Sequence, residues 1–246
     1  MLYITYTLNF LLMIALPWVL VLYLRRKFGT PWRIFIWGAV AFIGSQVFRI
    51  PLLMVLTLGF QQGWLPAIPE QYSDTFNIVF LSLTAGIFEE GARYIVYRRF
   101  IPDARTWKEG VSFGAGHRGV EAFIFGLLAA ASTIRVFYLS STDFSAPWYM
   151  TILGAAERVF AMTFHISAAV MVLQVFRRNN IAWLFAAIGW HTLLNLSLGL
   201  LPIVGPLALE GIVGLFALAS LWIIFRLRDA DPTLPPVSAE TALPAA

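Results

Sequence analysis

Cysteine is absent from the 246 residues, and charge is scarce: Asp, Glu, Lys and Arg together make up 12%. Without cysteine there is no disulfide and no thiolate-held metal. An average soluble domain is about 25% charged and about 45–50% apolar. Here the hydrophobic share is 59% and the mean hydropathy is +0.77. That balance excludes a disordered chain and a soluble globular enzyme, and leaves a polytopic membrane protein. A basic stretch ahead of the first apolar run is missing as well. Arg25, Arg26 and Lys27 follow that run instead, so it reads as a retained anchor rather than a cleaved signal peptide.

What is present is a series of long apolar runs. A helix needs about 20 mostly apolar residues to cross the hydrocarbon core. About seven stretches qualify: residues 3–24, 34–58, 75–97, 110–139, 149–176, 181–199 and 204–225. The fold class expected is therefore all-α, a single transmembrane bundle over residues 1–228, with 229–246 a disordered cytoplasmic tail. Basic residues sit in alternate connections: Arg25, Arg26, Lys27 and Arg33; Arg98, Arg99, Arg105 and Lys108; Arg177 and Arg178; Arg226 and Arg228. The other connections, residues 61–74, 140–148 and 200–203, contain no Lys or Arg. The positive-inside rule then puts the N-terminus outside and the C-terminus in the cytoplasm of a multi-pass protein of the cell (inner) membrane. Trp32, Trp64, Trp148 and Trp183 fall near span ends, where interfacial anchors belong. Topology accounts for the net charge of +4, so the partner is the lipid bilayer and no nucleic acid is called for.

The remaining charges lie inside the spans: Arg49, Arg93, Arg118, Arg135, Arg158, Glu89, Glu90, Glu121 and Glu157, with all the histidines, His117, His165 and His191. Each ionisable group at mid-membrane costs about 2.5–3.5 kcal/mol on insertion scales, and such groups mark function. Counted from the basic markers at about 1.5 Å per residue, Glu90, His117, His165 and His191 lie roughly 12–20 Å from the cytoplasmic face. One site inside the bundle explains that common depth. His117 with Glu121, and His191 with Asn195, are i,i+4 pairs that share a helix face. Arg93 is i+4 from Glu89 and i+3 from Glu90, so it can neutralise one glutamate and leave the other free for chemistry. Gly110, Gly114, Gly116 and Gly119 would let helices approach closely in span four. Glu121 is expected to orient His117, and Arg118 to pair with a carboxylate of span three. Arg49 and Glu157, at matched depth, are expected to form a structural ion pair with Arg158 nearby. Arg135 and Glu210 are expected at the outer interface.

Phe88-Glu89-Glu90-Gly91-Ala92-Arg93 resembles the EExxR signature of the intramembrane CAAX-type proteases. Phe113-Gly114-Ala115-Gly116-His117 resembles their FxxxH motif, and His191-Thr192-Leu193-Leu194-Asn195 their HxxxN motif. With Arg118, Glu121, Glu157, Arg158 and His165 added, the set resembles the YhfC family of intramembrane metalloproteases. Its relatives are the CAAX protease and bacteriocin-processing enzymes, the PrsW proteases and the gamma-secretase scaffold subunit. The resemblance implies that Glu89 or Glu90 and His117 activate water and that His191 and Asn195 hold the oxyanion. Arg93, Glu121 and His165 would support them.

A rival chemistry uses a divalent metal such as zinc held by His117, His165 and His191 plus a glutamate, although no HExxH is present to argue for it. The expected function is an intramembrane endopeptidase acting on a membrane-associated peptide or protein. Two alternatives stand beside it: a non-catalytic scaffold or substrate-binding subunit, and a proton-coupled transporter, the latter weakened by the lack of an inverted repeat.

Overall fold

The computed structural model describes residues 2–139 and 147–228; the expected tail at 229–246 lies outside the described residues. Helices follow one another: α1 (Leu2–Phe28), α2 (Trp32–Gln61), α3 (Glu70–Arg99), α4 (Trp107–Leu139), α5 (Leu153–Arg177), α6 (Ala182–Ser197) and α7 (Leu201–Arg226). Short 3-10 turns at Trp148–Ile152 and Leu198–Leu200 lead into α5 and α7, and the described residues contain no strand. Four stretches are long and apolar enough, by length and composition, to cross a membrane: Tyr3–Phe28, Trp32–Gln61, Trp148–Arg177 and Ala182–Arg226. The last joins α6 and α7 into one apolar run. Large apolar side chains such as Phe48, Leu215 and Trp222 point away from the protein, as they must where lipid is the solvent.

Local sequence sets where the helices begin and bend. Thr106 and Glu109 form a capping box at the start of α4: the Glu109 N–H donates to Thr106 Oγ1 at 3.3 Å, and Glu109 Oε2 accepts the Thr106 N–H at 2.9 Å. Arg105 ties that start to the end of α3 through the carbonyls of Tyr97, Ile101 and Ala104. The Trp107 indole N–H donates to Ile224 O at 2.8 Å, joining the same end to α7. Near the start of α7, Gly205 takes φ +76° just before Pro206, so the helix is kinked where the backbone turns left-handed.

α5 is the central helix. Its buried residues run without a break from Phe164 to Val175, as expected of a helix apolar on every side. α4 packs on α1, α2 and α5, while α3 packs on α2, α5 and α6. Glycine makes these contacts close. A Cβ on Gly116 would lie 2.1 Å from Phe35 O, and one on Gly38 would lie 2.2 Å from Phe113 O, so α2 and α4 cross almost backbone to backbone. A Cβ on Gly114 would lie 2.6 Å from the Ile166 Cα of α5, and one on Gly86 would lie 2.9 Å from Ile188 O of α6. Gly110 is as tight, but Gly119 is not: a Cβ there would make an ordinary contact with Pro17 at 3.5 Å. These crossings bring the polar segments of α3, α4, α5 and α6 to one place.

Candidate active site

Six of the polar side chains marked in the sequence meet there: Glu89, Glu90, Arg93, His117, His165 and His191, all buried. The adjacent glutamates have different surroundings. Glu90 is fully buried, and its carboxylate accepts from Arg93 Nη1 at 2.7 Å and faces His191 Nδ1 at 2.7 Å. Glu89 lies 3.9 Å from Arg93 Nη2. Its Oε2 is 3.2 Å from His117 Nε2 and 3.6 Å from His165 Nδ1, and its Oε1 accepts from Gln46 Nε2 of α2 at 3.5 Å. Arg93 therefore neutralises Glu90 and leaves Glu89 to the histidines.

Hydrogen-bond chemistry fixes ring states. A guanidinium only donates. Arg93 Nη2 lies 2.7 Å from His165 Nδ1, so that nitrogen accepts and a neutral His165 carries its proton on Nε2. Glu90, as a carboxylate, only accepts, so His191 Nδ1 is the donor of its contact. The His117 Nδ1 atom is buried with no hydrogen-bond partner. The rings pack closely: His117 and His165 stack at 5.9 Å between centroids, and His165 meets His191 edge-on at 4.9 Å.

Glu89, His165, His191 and Asn195 line one cavity of about 400 Å³, which Arg49, Arg118, Glu121, Glu157 and Arg158 line as well. Here the sequence expectations need correction. Arg49 and Glu157 do not form an ion pair. Arg49 donates to Leu81 O at 3.0 Å and Thr84 Oγ1 at 3.4 Å, because α2 packs on α3 and not extensively on α5. Glu157 pairs with Arg158 beside it and lies 3.9 Å from Arg118. Glu121 pairs with Arg118 one turn away rather than with His117, and Arg118 meets no carboxylate of α3. Gln46 was missed altogether. Its signal was present, since Ser45, Gln46 and Arg49 put a polar edge on an otherwise apolar α2.

The model of the YhfC intramembrane metalloprotease family matches residues 12–145 and 138–217. The chain belongs to that family. It is also 28% identical over 238 residues to "Uncharacterized membrane protein YhfC" of Bacillus subtilis (strain 168), an alignment covering 87% of this chain and 91% of the relative. No solved structure matches. All the residues that meet at the site lie inside the segments matched by the YhfC model.

The family description raises the question of a metal, and the donor set bears on it. Glu89, His117 and His165 each offer a ligand atom, all within 4.8 Å of one another. One carboxylate and two imidazoles suit a zinc-like ion, whose bonds to such ligands are about 2 Å long. The unpartnered His117 Nδ1 shows that this ring's hydrogen bonding is incomplete without a further group. The set differs from the expected histidines plus a glutamate in one respect: His191 is not in it, because Glu90 engages His191 Nδ1. Arg93 is a competitor, as it occupies the His165 Nδ1 lone pair.

Proposed function

We propose that this protein is an intramembrane endopeptidase that hydrolyses a peptide bond of a membrane-associated substrate, with Glu89 as the group that activates water. The observation that carries the reading is the meeting of Glu89 with His117 and His165, from α3, α4 and α5, beside a cavity of about 400 Å³ that Glu89 and His165 line. Of the two glutamates only Glu89 lines that cavity, and its contacts leave it able to accept a proton from water. Glu90 is committed to Arg93 and His191, so its role is to hold them. His191 and Asn195 line the cavity one turn apart on α6 and are assigned the carbonyl oxygen of the scissile bond, with the Asn195 amide as donor. Glu89, His117 and His165 are the residues that would hold a divalent metal. The chemistry such an ion supplies is Lewis acidity toward water and the carbonyl oxygen.

We place the chain in the cell (inner) membrane, crossing it about seven times with the N-terminus outside. The alternation of basic connections supports this orientation. A scaffold reading remains the alternative, and turnover separates the two. The purified protein is assayed for bound metal and for cleavage of membrane-anchored peptides, with and without chelator, against Glu89→Gln. Cleavage that survives Glu89→Gln removes the mechanism.

A further inference from the structure

The cavity lined by His165 and His191 is also rich in arginine, and its hydrogen bonding is incomplete. Arg118 and Arg158 are 6% and 7% exposed. Arg158 meets Glu157 through Nη2, while its Nε and Nη1 are buried without a partner. Arg118 meets Glu121 through Nη1, and its Nε is likewise buried and unpartnered. Arg49 is engaged by a carbonyl and a hydroxyl of α3, and among the described residues it forms no ion pair. Three guanidiniums thus stand with the carboxylates of Glu121, Glu157 and, near Arg158, Glu210, around a cavity that also reaches Glu89, and N–H donors of Arg118 and Arg158 still lack an acceptor. Buried N–H donors of a charged group are costly to leave unsatisfied. A planar guanidinium fork matches a carboxylate better than any other common biological group except phosphate.

We propose that the arginine cluster of this cavity is an anion subsite that receives a carboxylate of the peptide substrate. Arg158 precedes His165 by seven residues on α5, which sets the Arg158 part of the subsite about 10 Å along the helix from His165. The substrate class is then a peptide carrying a carboxylate, at its C-terminus or on a side chain, at that distance from the bond offered to Glu89. The inference rests on the reading of the cavity as a peptide site.

The test measures binding to the full chain in phosphatidylcholine nanodiscs, in the Glu89→Gln protein so that nothing is cut. The probes are an N-acetylated hexapeptide of leucine and alanine with a free C-terminal acid, the same peptide as its C-terminal amide, and that amide carrying one glutamate. Either acidic peptide is expected to bind about tenfold or more tightly than the plain amide. The preference should vanish when Arg158→Gln is added, while affinity for the plain amide is kept, and Arg158→Lys should restore part of it. Arg49→Gln serves in the same way should Arg158→Gln not fold. Which acidic peptide wins identifies the source of the carboxylate. Equal binding of all three peptides, no binding of any, or a preference that persists in both Arg158→Gln and Arg49→Gln overturns the proposal. Failure of wild-type cleavage with the acid preference intact would instead count against the protease reading alone.

Discussion

Glu89 and Glu90 are adjacent in sequence, yet the helix turns them toward different neighbours. Glu90 closes a fully buried set with Arg93 and His191, whereas Glu89 reaches the cavity. Removing one partner of a buried ion pair leaves an uncompensated charge, a loss of about 3–5 kcal/mol. Glu90→Gln is therefore expected to lower the unfolding temperature sharply. Glu89→Gln, whose nearest cation is 3.9 Å away, should cost less stability but reduce cleavage about 10²–10⁴-fold, as loss of a general base does. Thermal unfolding and turnover of the two variants check both halves. Metal content gives a second test at this scale. His117→Ala and His165→Ala should lose bound metal while His191→Ala keeps it; retention in the first two would rule out the Glu89–His117–His165 set. The pairing of Arg93 with one glutamate was legible in the sequence from the i,i+3 and i,i+4 spacing. Which glutamate it takes was not, because both spacings are sterically open and only the approach of His191 from α6 decides between them.

Helix crossings are set by glycine at particular faces. Gly116→Ala or Gly38→Ala would drive a methyl group into the backbone of the facing helix, at 2.1 Å and 2.2 Å from a carbonyl oxygen. Each should destabilise by about 1–3 kcal/mol, the usual cost of overpacking. Gly189→Ala in α6 meets nothing within 4 Å and should be neutral or stabilising by up to about 1 kcal/mol, since alanine is the better helix former. Unfolding midpoints in detergent should show this contrast; an equal effect at all three positions would mean that the crossings are not close. The glycines of span four announced tight packing in the sequence. Gly38 and Gly86, on α2 and α3, belong to no such dense run of glycines and gave no such signal, although each meets a neighbouring backbone.

Across the whole molecule, the absence of cysteine makes orientation directly measurable. Gln62→Cys, in a connection without Lys or Arg, should react with an impermeant maleimide in intact cells. Lys27→Cys should react only after the membrane is opened. The reverse pattern would invert the topology and move the site to the outer half of the bilayer. The arginine cluster of the cavity also belongs to this scale, since Arg49, Arg118 and Arg158 come from three different helices and no local pattern links them.

Composition and the spacing of apolar runs were enough to establish a membrane-embedded helical protein, and the distance of each polar residue from its basic marker was enough to suggest a common depth. Depth along a helix follows from counting, because the rise per residue is constant. The direction a side chain takes around the bundle depends on which neighbour its helix packs against, and a single sequence does not encode that locally. For this reason the tertiary structure alone separated Glu89 from Glu90, left His191 out of the metal-capable set, and turned Arg49 toward α3 instead of Glu157.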